Sequence, residues 1–173
     1  MCSSDLGTFS VIGELPKGRA AHSATLLADG RILVAGGMEI KGKVKKGEDP
    51  DTIAVATTLL VDPVAGTVTE GPPMGTARAG HVAVALADGR VLIAGGVDAG
   101  SDQLRSAEIY DPVTGTFTET GRLTAARTTA SGSLLPDGRV LIVGVEQGQT
   151  EDDVRIGAEI YDPASGTFTA LAG

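Results

Sequence analysis

Two short turn signatures recur in order along the chain, and they constrain its fold more than any other feature. Asp-Gly-Arg stands at 29–31, 88–90 and 137–139, at steps of 59 and 49 residues. Asp-Pro-x-x-Gly-Thr begins at Asp62, Asp111 and Asp162, at steps of 49 and 51 residues. The longer first step reflects an insertion between Met38 and Ala56. A fixed period of this size marks one supersecondary unit used repeatedly, and such units bury their apolar faces by stacking on one another.

Each unit reads as four short strands. In the second, Val82 to Ala87 leads through Asp88-Gly89 into Val91 to Ala94. An Asp-Gly dipeptide between apolar runs predicts a two-residue hairpin turn with positive φ at both central residues. After Gly95-Gly96 and a polar loop come Ala107 to Tyr110 and then Asp111-Pro112-Val113-Thr114-Gly115. There Pro presets φ at the second turn position and Gly takes the left-handed one. Phe117 follows on the fourth strand. The first unit repeats the order with Ser23 to Ala28, Ile32 to Ala35, Thr58 to Val61 and Thr67 to Thr69; the third uses Ser131 to Leu135, Val140 to Val143, Ala158 to Tyr161 and Thr167 to Thr169. First strands are rich in small residues (Ser23-Ala24-Thr25, Ser131-Gly132-Ser133) and second strands carry bulkier Ile, Leu and Val. Sheets set radially around an axis produce that gradient, because the innermost strand has least room.

These residues resemble the kelch repeat of β-propellers, in the bacterial form close to the galactose oxidase central domain. The resemblance rests on Arg-x-x-His (Arg19 to His22, Arg78 to His81), the run Asp-Gly-Arg-Val-Leu-Ile-Ala-Gly-Gly at 88–96, and Ala-Glu-Ile-Tyr-Asp-Pro at 107–112. Departures are plain: Ala130 stands where His is expected, Gly144-Val145 replaces Gly-Gly, and Leu59 and Val61 stand where Glu108 and Tyr110 stand in the second unit. The expected fold class is all-β, a partial propeller of three four-stranded antiparallel blades in an open arc. The blades are expected at 13–69, 70–118 and 121–169, with the last strand of a preceding blade at 7–10, where Gly7-Thr8-Phe9 matches the end of a unit. Residues 1–6 match the translation of TGCTCTTCCGATCT, the end of a widely used sequencing adapter, behind a GTG start, so the sequence is expected to be part of a longer propeller. Unmatched blade edges would then be met by missing blades or by self-association.

Composition narrows the function classes. At 173 residues there is room for a full core without disulfides or metal. Gly 25 and Pro 8 make the chain turn-rich yet leave it below the roughly 25–30% at which low complexity is the better reading. A formal charge of −8 repels phosphate backbones and anionic lipid, which argues against a nucleic-acid role. The longest apolar-leaning stretch, Thr52 to Val61, is too short to span a bilayer, so membrane insertion is not expected. The single cysteine, Cys2, has no partner in the chain and gives no redox compartment.

Candidate sites are few. His22 and His81 share one repeat position, so a hydrogen bond to backbone between strands is a better reading for them than metal binding or general base chemistry. Galactose oxidase resemblance would imply a copper site of tyrosine, histidine and a cross-linked cysteine. All five aromatics, Phe9, Phe117, Phe168, Tyr110 and Tyr161, fall at repeat positions, and no catalytic, metal or cofactor site is expected in this segment. Arg19, Arg78 and Arg127 recur between blades; hydrogen bonds to carbonyls, or pairing with a carboxylate of a neighbouring blade with Glu108 and Glu159 as the candidates, is the preferred role, and ligand contact the lesser one. The variable parts are the loops Met38 to Ala56, Val97 to Arg105 and Glu146 to Gly157, which share one rim with the three arginines. The binding rim is therefore expected to use Arg19, Arg78, Arg127, Lys43, Asp98, Asp102, Asp152 and Asp153, since rigid scaffolds bind through loops. Lys41, Lys43, Lys45 and Lys46 followed by Glu48, Asp49 and Asp51 read as a solvated charge run, and the acidic residues lack calcium-loop spacing. The function expected is a non-catalytic scaffold binding protein or carbohydrate. The alternatives are a non-catalytic portion of a secreted copper oxidase, or a structural segment of a surface adhesin; export is implied by the resemblance alone.

Overall fold

The computed structural model describes residues 11, 15–42, 50–147 and 154–171, and every regular element among them is a β-strand. The expectations for residues 1–6 and 7–10, and for Lys43, Asp152 and Asp153, lie outside the described residues. Blade 1 is an antiparallel sheet in the order β2 (Ser23–Leu26), β3 (Ile32–Ala35), β6 (Thr58–Asp62), β7 (Thr67–Glu70). Blade 2 follows with β8 (Val82–Ala85), β9 (Val91–Ala94), β10 (Ala107–Asp111) and β11 (Thr116–Glu119). Blade 3 holds β12 (Arg127–Leu134), β13 (Val140–Gln147), β14 (Val154–Asp162) and β15 (Thr167–Ala170). Each is a plain meander, and together they form an open arc of a propeller.

The inner strands β2, β8 and β12 follow one another around the arc, with β8 against both neighbours. Their small residues have a direct cause: a Cβ on Gly132 would sit 2.6 Å from Val82 Cγ2 of the preceding blade. Three equivalent kinks link the inner strands. Ala21, Gly80 and Thr129 have φ of 53°, 61° and 51°. Gly80 N donates to Ala21 O and Thr129 N donates to Gly80 O, each at 2.9 Å, so a chain of backbone bonds runs from blade to blade.

Two apolar clusters sit between the blades. Leu27, Leu33, Ala35 and half-buried Leu60 of blade 1 pack with Val91, Ile93, Tyr110 and Phe117 of blade 2. Val82, Val84, Leu92, Ala94 and Ile109 on the other face of blade 2 pack with Val140, Ile142, Tyr161 and Phe168 of blade 3. Period-2 alternation sends neighbouring residues to opposite faces, so blade 2 feeds both clusters and its β9 is buried along its whole length.

Three expectations are corrected. The Asp-Gly turn is not a two-residue loop. Gly30 N donates to Leu27 O at 3.0 Å and Leu27 N to Arg31 O at 2.8 Å, and only the glycine has positive φ (88°), which makes a type I turn closed by a left-handed glycine. The insertion Met38 to Ala56 is not all loop. β4 (Met38–Ile40) pairs with β5 (Thr52–Ala54) and with β1 (Arg19–Ala20) in a separate three-stranded sheet above blade 1. The loop Glu146 to Gly157 is partly strand as well: β13 and β14 stay paired through Gly144↔Gly157 and Val145↔Ile156 to Gln147↔Val154. In blades 1 and 2 the pairs Gly36-Gly37 and Gly95-Gly96 take φ of 59°, 100°, 69° and 91° and break the strand. Val145 cannot turn the chain that way without strain, so the ladder of blade 3 continues.

Candidate binding rim

The ends of the blades differ in character. At one end lie the Asp-Gly-Arg and Asp-Pro turns, which are self-contained. Asp29 Oδ1 accepts Arg31 N at 3.0 Å while Oδ2 accepts Arg31 Nε at 2.8 Å, and Asp88–Arg90 and Asp137–Arg139 repeat the arrangement. The arginine two residues on holds the carboxyls of Asp29, Asp88 and Asp137 below the usual carboxylate range. Asp62 and Asp111 Oδ1 cap the second turn by accepting Val64 N and Val113 N at 2.9 and 2.8 Å. These groups are spent on their own turns.

The opposite end carries the β9–β10 type connections and the crossings between blades, and here the three arginines lie. Arg78 is fully buried. Its Nη1 donates to Gly95 O at 2.8 Å and Ser106 O at 3.1 Å, and its Nη2 to Glu108 Oε1 at 2.8 Å. Glu108 in turn accepts Gly75 N at 2.6 Å and Thr76 N at 3.1 Å. One ion pair thus ties the entry loop of blade 2 to the tops of β9 and β10 through charge-assisted bonds, with Arg78 Nε left unpartnered among the described residues. Arg127 repeats it: Nε donates to Glu159 Oε1 at 2.7 Å, Nη1 to Gly144 O and Gly157 O, Nη2 to Glu146, and Glu159 Oε2 accepts Thr124 N at 2.6 Å. The backbone of each arginine also serves the preceding blade, since Gly37 N donates to Arg78 O at 2.9 Å and Gly96 N to Arg127 O at 2.7 Å.

Blade 1 solves the same problem differently. Leu59 occupies the glutamate position, and Arg19 turns to Glu39 on β4, with Nη2 to Oε1 at 2.9 Å and Nη1 to Gly36 O at 3.1 Å. Lys17 reaches the other oxygen of Glu39 at 3.4 Å. Sequence reasoning missed Glu39, although the signal was available: a glutamate absent from the repeat position, and one inside the inserted segment just past Gly36-Gly37. The structure therefore places Arg78 and Arg127 beneath the rim, inside their blades, with no surface of their own.

His81 is buried, and its Nε2 lies 2.8 Å from Ser23 Oγ of blade 1, a side-chain link between blades. Burial and the Arg78 guanidinium beside it lower its pKa to about 4, so the ring is neutral at physiological pH. His22, at the equivalent position in blade 1, is exposed. Among the rim candidates, Asp98 folds its own loop: Oδ1 accepts Gly100 N at 2.8 Å and Asp102 N at 2.9 Å, and its backbone N donates to Asp102 O at 2.9 Å. Asp102 is exposed on the same loop. No cluster of three metal-ligating side chains occurs among the described residues. The described variable structure on this end thus comprises the loop at 97–105, the sheet β1-β4-β5 and the extended β13–β14 hairpin.

Residues 78–124, which hold all four strands of blade 2, match the Kelch motif family. No curated protein matches the chain.

Proposed function

From a chain whose middle blade is a Kelch motif and whose flanking blades repeat its meander, we infer a binding scaffold that recognises a protein or carbohydrate through the rim opposite the Asp-Gly-Arg turns. The carrying observation is the contrast between the two ends. One end is built from the same closed turns three times over. The other rests on one repeated arginine pin and bears a different structure on every blade: a three-stranded sheet, a short Asp98–Asp102 loop, and a tall hairpin. Rigid support beneath variable connections is how folds host recognition. Of the two described histidines, buried His81 is bonded between blades, which favours a structural role for that repeat position.

The reading is tested by probing the chain with a glycan array and a displayed peptide library, then mapping any binder. Replacing residues 98–102 with a Gly-Ser linker is expected to reduce binding at least tenfold, while Asp88→Asn on the turn end leaves it unchanged. Binding lost equally through the turn end, or no binder from either collection, would overturn it.

A further inference from the structure

Arg19 and Arg127 make the same set of bonds with one exception. In both, Nη1 donates to two neighbouring carbonyls, Gly36 O and Thr57 O at 3.1 and 3.2 Å in blade 1, and Gly144 O and Gly157 O at 3.1 and 2.9 Å in blade 3. In both, Nη2 donates to a glutamate above those carbonyls, Glu39 or Glu146. Blade 3 completes the set with Nε, which donates to Glu159 Oε1 at 2.7 Å. Arg19 Nε is buried and has no partner among the described residues, and Leu59 stands where Glu159 does. Arg78 Nε lacks a partner as well, but Arg78 gives Nη2 to Glu108, so blade 2 does not lack the carboxylate. Blade 1 alone of the three has the pin without its glutamate.

The vacated place has room and charge to match. A cleft of about 310 Å³ opens there, lined by Pro16, Lys17, Arg19, Glu39, Leu59 and Glu70 among others. That volume lies at the lower end of the roughly 300–1,000 Å³ of small-ligand sites. A leucine ends one atom short of the carboxylate oxygens of a glutamate, so it leaves their positions open. Pro16 stands where Gly75 and Thr124 donate to the glutamates of their blades, and it has no N–H to give. Lys17 follows it, with its ammonium 3.4 Å from Glu39 Oε2 and its side chain 74% exposed. Blade 1 therefore sets two cations about one glutamate, whereas Arg127 alone carries both Glu146 and Glu159. Glu70 does not forbid a further carboxylate. It pairs in register with Leu59 as exposed Glu119 pairs with Glu108, and in blade 2 both glutamates are present.

We propose that this cleft takes the carboxylate of a glutamate side chain from a partner protein, which completes the arginine pin of blade 1 as Glu159 completes that of blade 3. Arg19 Nε donates to one oxygen, and the Lys17 ammonium neutralises the added charge. The Arg19 side chain is only 3% exposed, so the bond forms away from bulk water, where a charge-assisted hydrogen bond is strongest. In both sister blades the occupant of this place is a glutamate side chain, and that favours an acidic protein segment over a uronate sugar. The proposal rests on the rim reading, since the cleft opens at the rim end of blade 1, and it names the chemistry of the ligand.

The Nε–H resonance of Arg19 in the full chain reads the site directly. N-acetylglutamate methylamide is titrated in at constant ionic strength, with the blocked glutamine and free glucuronate as comparisons. The expected result is a saturable downfield shift of Arg19 Nε–H with the blocked glutamate, and binding weaker by about tenfold or more for the other two. Leu59→Glu supplies the carboxylate from within and is expected to abolish the response. Lys17→Ala, on the surface, is expected to weaken binding several-fold and keeps the test open should Leu59→Glu fail to fold. An Arg19 resonance unmoved by blocked glutamate overturns the proposal, whether or not a peptide library yields a rim binder. So does unchanged binding in both variants. Glucuronate binding as tightly as blocked glutamate overturns it in favour of a carbohydrate ligand. Binding that emerges only in Glu14→Gln overturns it too, by showing that the chain fills the cleft itself.

Discussion

At the scale of single residues, the interior of each blade end is an electrostatic device. Arg78 and Glu108 are both buried and their charges are matched by each other and by backbone donors and acceptors. Removing one partner of such a pair strands the other, at a cost of about 3–5 kcal/mol. Glu108→Gln is expected to destabilise the chain by about 3 kcal/mol in urea unfolding, while exposed Glu119→Gln is expected to lie within about 0.5 kcal/mol of the parent. His81 adds a pH dependence with a definite sign. Its pKa falls from 6.5 to about 4 on folding. Between those values the unfolded chain binds the extra proton, so stability is full above pH 6.5 and is lost as pH drops toward 4. The loss is about 3 kcal/mol at 1.36 kcal/mol per pKa unit. Urea midpoints at pH 7.0 and 4.5 check it, and His81→Gln is expected to flatten the difference. The sequence already showed the recurrence of these residues and offered Glu108 and Glu159 as arginine partners on a neighbouring blade, whereas each pair forms inside one blade, Arg78 with Glu108 in blade 2 and Arg127 with Glu159 in blade 3. It did not show that His81 bonds a side chain of the neighbouring blade, because Ser23 is 58 residues away and nothing local links them.

At the scale of elements, turn residues decide where strands stop. Gly95 and Gly115 have almost the same φ, 69° and 67°, yet meet different surroundings. A Cβ on Gly115 would meet nothing within 4 Å, whereas one on Gly95 would lie 2.6 Å from Arg127 O across the joint with blade 3. Gly115→Ala should therefore cost only the left-handed backbone penalty, about 1–2 kcal/mol. Gly95→Ala is expected to cost at least about 2 kcal/mol more, because backbone atoms of two blades must part. Thermal melts of the two variants against the parent read the difference, and equal costs would show that the joint yields. This is also where the sequence was least legible. Strand cores, hairpin positions and the glycine breaks follow from period-2 patterning and turn chemistry, but Gly144-Val145 carried a consequence that the repeat alignment recorded only as a departure. Without the second glycine the β13–β14 ladder runs four pairs further, from Gly144↔Gly157 to Gln147↔Val154. In the same way Met38 to Ala56 read as loop because its strands are three residues each and pair only with one another and with Arg19–Ala20. Strands that short carry too little periodicity to be seen.

At the scale of the whole molecule, stability is a chain of nearest-neighbour joints. Neither apolar cluster lies within one blade: one spans blades 1 and 2, the other blades 2 and 3. A blade without a neighbour exposes the face that its cluster would cover, so stability adds as blade terms plus joint terms, as in other repeat proteins. Blade 2 alone contributes to both joints, with Val91 and Ile93 on one face and Leu92 and Ala94 on the other. The two joints can therefore be weakened separately from adjacent residues of one strand. Leu92→Ala removes a fully buried side chain from the joint with blade 3, and Ile93→Ala does the same for the joint with blade 1. Each deletion is expected to cost about 2–5 kcal/mol by transfer and cavity terms. The two should differ in where that cost falls. Amide exchange is expected to speed most at Ile142 and Tyr161 in Leu92→Ala, and most at Leu33 and Leu60 in Ile93→Ala, with the far blade less affected in each. Uniform acceleration across all three blades in both variants would mean that the arc opens as a single unit and that the joints have no separate energies.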